Sequence, residues 1–220
     1  MNQKRITLLC GHYGSGKSNL AVNMATELRK KFERVSLADL DIVNPYFRSV
    51  DSRKELEEQG IDLIASDYAS SNLDVPALPA EIYNLCRDRE SYVIIDLGGD
   101  DRGALALGRL RHSLRQEGNY DMLFVLNAYR PLTRTVEEVL AVIGEVESAS
   151  GLPITGIINN SNLGEETTEE TVLDAVPLAQ RTAELTKLPL VLTAVEESLI
   201  PALTGKVDDL FPLRLQAKYY

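Results

Sequence analysis

Two cysteines in 220 residues are too few for the disulfide framework of a small secreted domain, and Cys10 and Cys86 lie in separate apolar segments that read as core. A reducing compartment is the expected home. Two histidines, with no paired Cys/His spacing, exclude a zinc-finger type of centre. Apolar runs are short: none approaches the ~18 residues of a membrane span, and the opening MNQKRITLLC lacks the long apolar segment of a signal peptide. The expected location is therefore cytoplasmic, with no membrane partner.

Positive charge is also in deficit. Lys and Arg number 23 against 33 Asp and Glu, a formal net charge of −10, so the overall field repels nucleic acid and anionic lipid. The nearest thing to a basic patch is Arg102, Arg109, Arg111 and Arg115, which reads as the solvated face of a helix. There is no internal repeat, low-complexity tract or Pro/Ser/Gly-rich linker, and the length suits one large domain over 1–220.

What the chain does have is a regular alternation. Apolar, β-branched runs occur at 6–10, 34–40, 61–65, 91–97, 121–127, 154–160 and 189–195, with helix-like segments near 18–32, 51–59, 76–90, 103–117, 131–150, 168–187 and 197–205. Several runs are continuously apolar, as in strands covered on both faces. The expected fold is α/β, a doubly wound and mostly parallel sheet of about seven strands with helices on both faces. The stretch 162–171, NLGEETTEET, is the most polar and reads as a mobile loop ending in a helix start.

Between the first strand and the first helix stands GHYGSGKS, residues 11–18. Gly11, Gly16, Lys17 and Ser18 fit the G-x-x-x-x-G-K-[ST] spacing of a phosphate-binding loop, in the strand–loop–helix context that motif requires. Glycines let backbone N–H groups converge on phosphate oxygens at a helix N-terminus. The phosphate set is Gly11, Gly14, Ser15, Gly16, Lys17, Ser18 and the following Asn19. Lys17 is expected to reach the β- and γ-phosphates and Ser18 to ligate Mg²⁺.

Carboxylates near the metal are also needed, since Mg²⁺ prefers oxygen. VIIDLGGD ends a strand with Asp96 in the Walker B position, and Asp96-x-x-Gly99 has the form whose glycine N–H senses a γ-phosphate. LADLDIVNPYFR supplies Asp39 and Asp41. NPYFRS (44–49), with Tyr46, Phe47 and Arg48, reads either as a switch segment that moves with the γ-phosphate or as loop packing.

With these elements in place the chain resembles the MinD/ParA/CobQ-like branch of P-loop ATPases, of SIMIBI type, along most of its length. The resemblance rests on the N-terminal loop, DLDIVNP after the second strand, IIDLGG, and the asparagines of GIINN. It implies that Asp41 orients the attacking water, that Ser18, Asp39 and Asp96 form the metal shell, and that Asn159 or Asn160 lies near the base. ATP and Mg²⁺ are the implied ligands, and a homodimer or an unidentified protein or small-molecule partner the implied assembly. The relatives' loop has the form K-G-G-x-G-K-[ST], whose signature lysine crosses to a partner's nucleotide. Here His12 and Tyr13 stand at the lysine and the following glycine, and both read as packing beside the nucleotide.

GHYGSGKS also resembles the loops of metallochaperone GTPases of the UreG and HypB type, which makes GTP the alternative, with a dethiobiotin-synthetase-like ligase or kinase as a third class. Guanine-binding relatives use N-K-x-D; the corresponding stretch here is Asn159-Asn160-Ser161-Asn162. An amide can both accept from adenine's amino group and donate to a ring nitrogen, which leans to adenine. The C-terminal DDLFPLRLQAKYY lacks the basic amphipathic face of a membrane-anchoring helix.

Overall fold

The computed structural model describes residues 4–40, 53–65, 80–99 and 101–215, with backbone alone at 65, 80 and 101–106. Eight strands form one sheet: β1 (Ile6–Cys10), β2 (Val35–Leu40), β3 (Ile61–Ala65), β4 (Tyr92–Leu97), β5 (Tyr120–Leu126), β6 (Gly156–Asn159), β7 (Leu190–Glu196) and β8 (Leu210–Leu213). Their order is β3-β2-β4-β1-β5-β6-β7-β8, and every pairing is parallel. Seven strands match the apolar runs. The eighth escapes a search for such runs because Leu210–Leu213 is four residues with Pro212 inside, tolerated because β8 is an edge strand.

The helices are α1 (Lys17–Arg29), α2 (Arg53–Glu58), α3 (Ala80–Arg87), α4 (Asp101–Glu117), α5 (Val136–Ser150), α6 (Glu169–Thr186) and the short α7 (Ile200–Leu203). Among the described residues no helix is long and apolar enough to cross a membrane. The continuous apolar runs are explained by two cores. Leu9, Leu37, Ile94, Val125 and Ile158 pack with Leu20, Met24 and Leu28 of α1 and Leu56 of α2. The alternate residues Leu8, Ile95, Phe124 and Ile157 pack with α3, α4 and α5 through Ile82, Leu107, Leu110 and Val139 on the other face.

Two local readings change. The helix expected from 131 begins at Val136. Residues 127–135 instead form a tight turn, with Leu132 at φ 63, and Thr135 with Glu138 closes a capping box that sets the start. The polar stretch 162–171 is an ordered connection: a 3-10 turn at Gly164–Glu166 leads to Thr168, which caps α6 through Thr171. The basic cluster on α4 is partly occupied with structure, since Arg115 donates to the Gly151 carbonyl at the end of α5 at 2.8 Å.

Candidate functional site

The strand order puts β1 between β4 and β5, the point where successive connections leave in opposite directions and where α/β sheets form a crevice at the carboxyl ends of their strands. The loop after β1 fills that position. Gly16 sits at φ 84 as the residue before α1, with no side-chain cap on the helix and no acidic residue in its first turn. A left-handed backbone there favours glycine, and a Cβ would meet the Asn160 amide nitrogen at 2.5 Å. The uncapped helix start leaves its first N–H groups and the positive end of the dipole facing the loop.

Lys17 is 5% exposed. Its Nζ donates to the carbonyls of Gly11 at 3.1 Å and His12 at 3.2 Å, so the ammonium lies inside the bend of the loop. Ser15 N donates to His12 O at 3.2 Å, and Ser18 is buried in the first turn of α1. The Ser15 hydroxyl is fully buried and has no hydrogen-bond partner among the described residues. Orphaned buried polar atoms call for a ligand or water, and a lysine, a serine hydroxyl and amides at a helix start suit an anion carrying several oxygens.

Asp39 and Asp96 are register partners across β2 and β4. Each is flanked in its strand by residues of the α3–α5 core, Ala38 and Leu40 or Ile95 and Leu97, so both carboxylates face the α1 side. They are 4% and 0% exposed. β2 runs through Leu40, one residue past Asp39. Asp41, Tyr46, Phe47 and Arg48 lie outside the described residues. Among the described residues no group of three His, Cys, Asp or Glu side chains comes together as a metal cage. A Mg²⁺ ion carried by a nucleotide needs only one or two protein oxygens, and Ser18, Asp39 and Asp96 are the candidates for them.

The backbone after β4 lies against the loop. A Cβ on Gly99 would meet Tyr13 N at 2.6 Å and Tyr13 Cα at 2.7 Å, so Gly98–Gly99 and His12–Tyr13 stack backbone on backbone. Between this contact and α5 is a cavity of about 70 Å³ lined in part by Cys10, Gly11, His12, Gly99 and Glu145. Burial pushes the Cys10 thiol from its ordinary 9.0 up to about 12. The His12 ring faces its own neighbour, Nδ1 lying 3.0 Å from Tyr13 O.

The two asparagines after β6 separate in role. Asn160 Nδ2 donates to Ser15 O at 2.7 Å, tying the end of β6 to the loop. Asn159 Oδ1 accepts from Ser161 N and Oγ at 3.2 and 2.7 Å, a local turn that shapes the connection. Asn162 Oδ1 accepts from Gly164 N at 3.1 Å.

Two participants carried no motif. Asn127, directly after β5, accepts from Tyr129 N at 3.0 Å and donates to Asn162 O at 3.3 Å, joining the β5 and β6 loops. Arg130 lies over Gly14, its Cδ and Nε each 3.6 Å from where a Gly14 Cβ would stand. Only their position, polar residues in the turn that follows the apolar run Met122–Leu126, marks them in the sequence.

No protein-family model matches the chain, and no curated protein matches it in sequence. Solved structures do match in fold. Cell division protein FtsY from Thermotoga maritima is 17% identical with a TM-score of 0.55, over 90% of this chain and 64% of that one. The signal recognition particle 54 kDa protein from Aeropyrum pernix K1, in complex with GDP, is 20% identical with a TM-score of 0.54, over 86% and 40%. FlhF complexed with GTP and Mg²⁺ is 14% identical with a TM-score of 0.53, over 87% and 65%. The chain thus spans less than two thirds of each of these structures. At these identities the likeness concerns architecture: this chain has the α/β P-loop NTPase fold that they share.

Proposed function

We propose that the chain is a Mg²⁺-dependent nucleoside triphosphatase that uses ATP and works as a regulatory switch of the MinD/ParA/CobQ-like kind. The observation that carries the reading is the loop itself: a buried lysine folded into a glycine bend, at an uncapped helix start, beside two in-register buried aspartates. In this role the loop amides and Lys17 hold the phosphates and counter their charge. Ser18, Asp39 and Asp96 would hold Mg²⁺, which would supply neutralisation of the phosphates' negative charge. Asp41 orients the attacking water, and the Gly99 N–H answers to the γ-phosphate.

The base lean to adenine keeps its chemical support, since no carboxylate occurs in residues 159–163 to accept from guanine's N1–H and amino group. GTP is the second reading, favoured by the GDP or GTP in matched structures that carry nucleotide. The experiment is thermal stabilisation by Mg·ATP against Mg·GTP. A ligand at 100 times its Kd adds about 2.7 kcal/mol, worth roughly 5–11 °C in Tm for a chain of this size. The expected result is a shift with ATP, lost in Lys17→Ala. A shift with GTP alone replaces ATP by GTP, and no shift with either removes the nucleotide reading.

A further inference from the structure

The charge balance around the loop points to a residue outside its motif. A nucleoside triphosphate brings several negative charges, and the loop offers one buried cation, Lys17. Across the loop stands Arg130, with its Cδ and Nε over Gly14. Among the described residues its guanidinium makes no ion pair or hydrogen bond, and the residue is exposed. A surface arginine is ordinarily swept through many rotamers, but this one stands on a fixed turn.

That turn is held at each end. Arg130 N donates to Asn127 O at 3.1 Å, and the buried Thr133 hydroxyl donates to Asn127 O at 2.7 Å. Tyr129 Oη donates to Thr171 O of α6 at 2.7 Å. Leu132 is kept at φ 63, a conformation that a branched side chain adopts only when its surroundings impose it. So much constraint serves to aim what the turn carries: of its two exposed cations, Arg130 and Arg134, Arg130 is the one that stands over Gly14. A guanidinium offers planar paired donors that match phosphate oxygens.

We propose that Arg130 is a phosphate-contacting residue of the loop site, supplying from the same chain a second positive charge to the outer phosphates of a nucleoside triphosphate. The inference rests on the reading of residues 11–18 as a nucleoside triphosphate site. Charge placed there has more to stabilise in a triphosphate, and most when β–γ cleavage moves charge onto the leaving oxygens. Arg130 therefore discriminates triphosphate from diphosphate and accelerates cleavage.

The test compares wild type with Arg130→Ala and Arg130→Lys. The readouts are affinity for Mg·ADP and for a non-hydrolysable Mg·ATP analogue, the turnover number, and urea stability without ligand. In Arg130→Ala the expected result is about a hundredfold fall in turnover, by analogy with removal of one charge-stabilising donor. Affinity for the triphosphate analogue is expected to fall about tenfold, with ADP affinity and urea midpoint unchanged. Arg130→Lys, which keeps the charge and loses the paired donors, falls between. If wild type binds the analogue and Arg130→Ala keeps its turnover and its preference for triphosphate, the proposal is overturned while the loop site stands. If wild type binds neither nucleotide, the loop reading fails and Arg130's role fails with it. An equal loss of ADP and ATP affinity with a lowered urea midpoint would make Arg130 a packing residue and also overturn it.

Discussion

At the scale of single residues, Asn160 does work that its place in a run of asparagines conceals. Its amide reaches Ser15 O at 2.7 Å, and both residues are fully or almost fully buried. Asn160→Ala leaves that carbonyl without its donor, which costs about 1–3 kcal/mol for a buried group. The loop also loses the tie that holds it in the binding conformation. We expect a lower urea midpoint together with weaker Mg·nucleotide affinity, and Asn160→Asp should be no better, because a carboxylate facing a carbonyl cannot donate. The double asparagine was visible in the sequence as a candidate for base contact. Which of the two touches the loop was not, because residues 159 and 160 differ only in which way each side chain leaves the strand end.

Among the elements, the end of the sheet opposite the site is gathered by a single buried side chain. Arg5, just before β1, donates from Nε to Glu117 at 2.9 Å, from Nη1 to the carbonyls of Leu85 and Ser91 at 3.0 Å each, and from Nη2 to Cys86 O at 3.1 Å. It thereby joins β1 to the C-terminal ends of α3 and α4 and the start of β4. Removing one partner of a buried pair leaves an uncompensated charge and is costly, so Arg5→Ala should lose about 3–5 kcal/mol in urea unfolding. Because the anchor is remote from the loop, nucleotide affinity of the folded fraction should be unchanged. Elements were readable from the sequence where their pattern is continuous and long: β1, β4, β5 and α6 begin and end within about two residues of their apolar runs. The start of α5 was not, because the apolar and basic residues 131–134 extend a helical pattern that the turn at Leu132 and the Thr135 cap interrupt.

For the molecule as a whole, the thiols report on global opening. Burial raises Cys10 from 9.0 to about 12 and Cys86 in the same direction. A group with a raised folded pKa keeps its stabilising contribution below the unfolded value and loses it as pH rises toward the folded one. Stability should therefore decline from about pH 9 towards pH 12, and Cys10→Ala should flatten part of that slope whatever it does to the neutral-pH midpoint, as followed by urea unfolding at stepped pH. Native-state alkylation at pH 8 should be slow for both thiols and slower with a saturating nucleotide, since binding lowers the open population.

The parallel α/β character is legible in local pattern, because strands buried on both faces are apolar at nearly every position, and so is the loop, because eight consecutive residues carry that geometry in their own backbone preferences. Tertiary structure decided the rest of the site. Asp39 and Asp96 become neighbours only through the β2–β4 register, and Asn160 meets Ser15 only because β5 and β6 follow β1 in the sheet. Arg130 reaches Gly14 for the same reason. Local pattern states which residues are buried and which way the chain turns; strand order and register, which depend on how distant segments pack, state which of those residues meet.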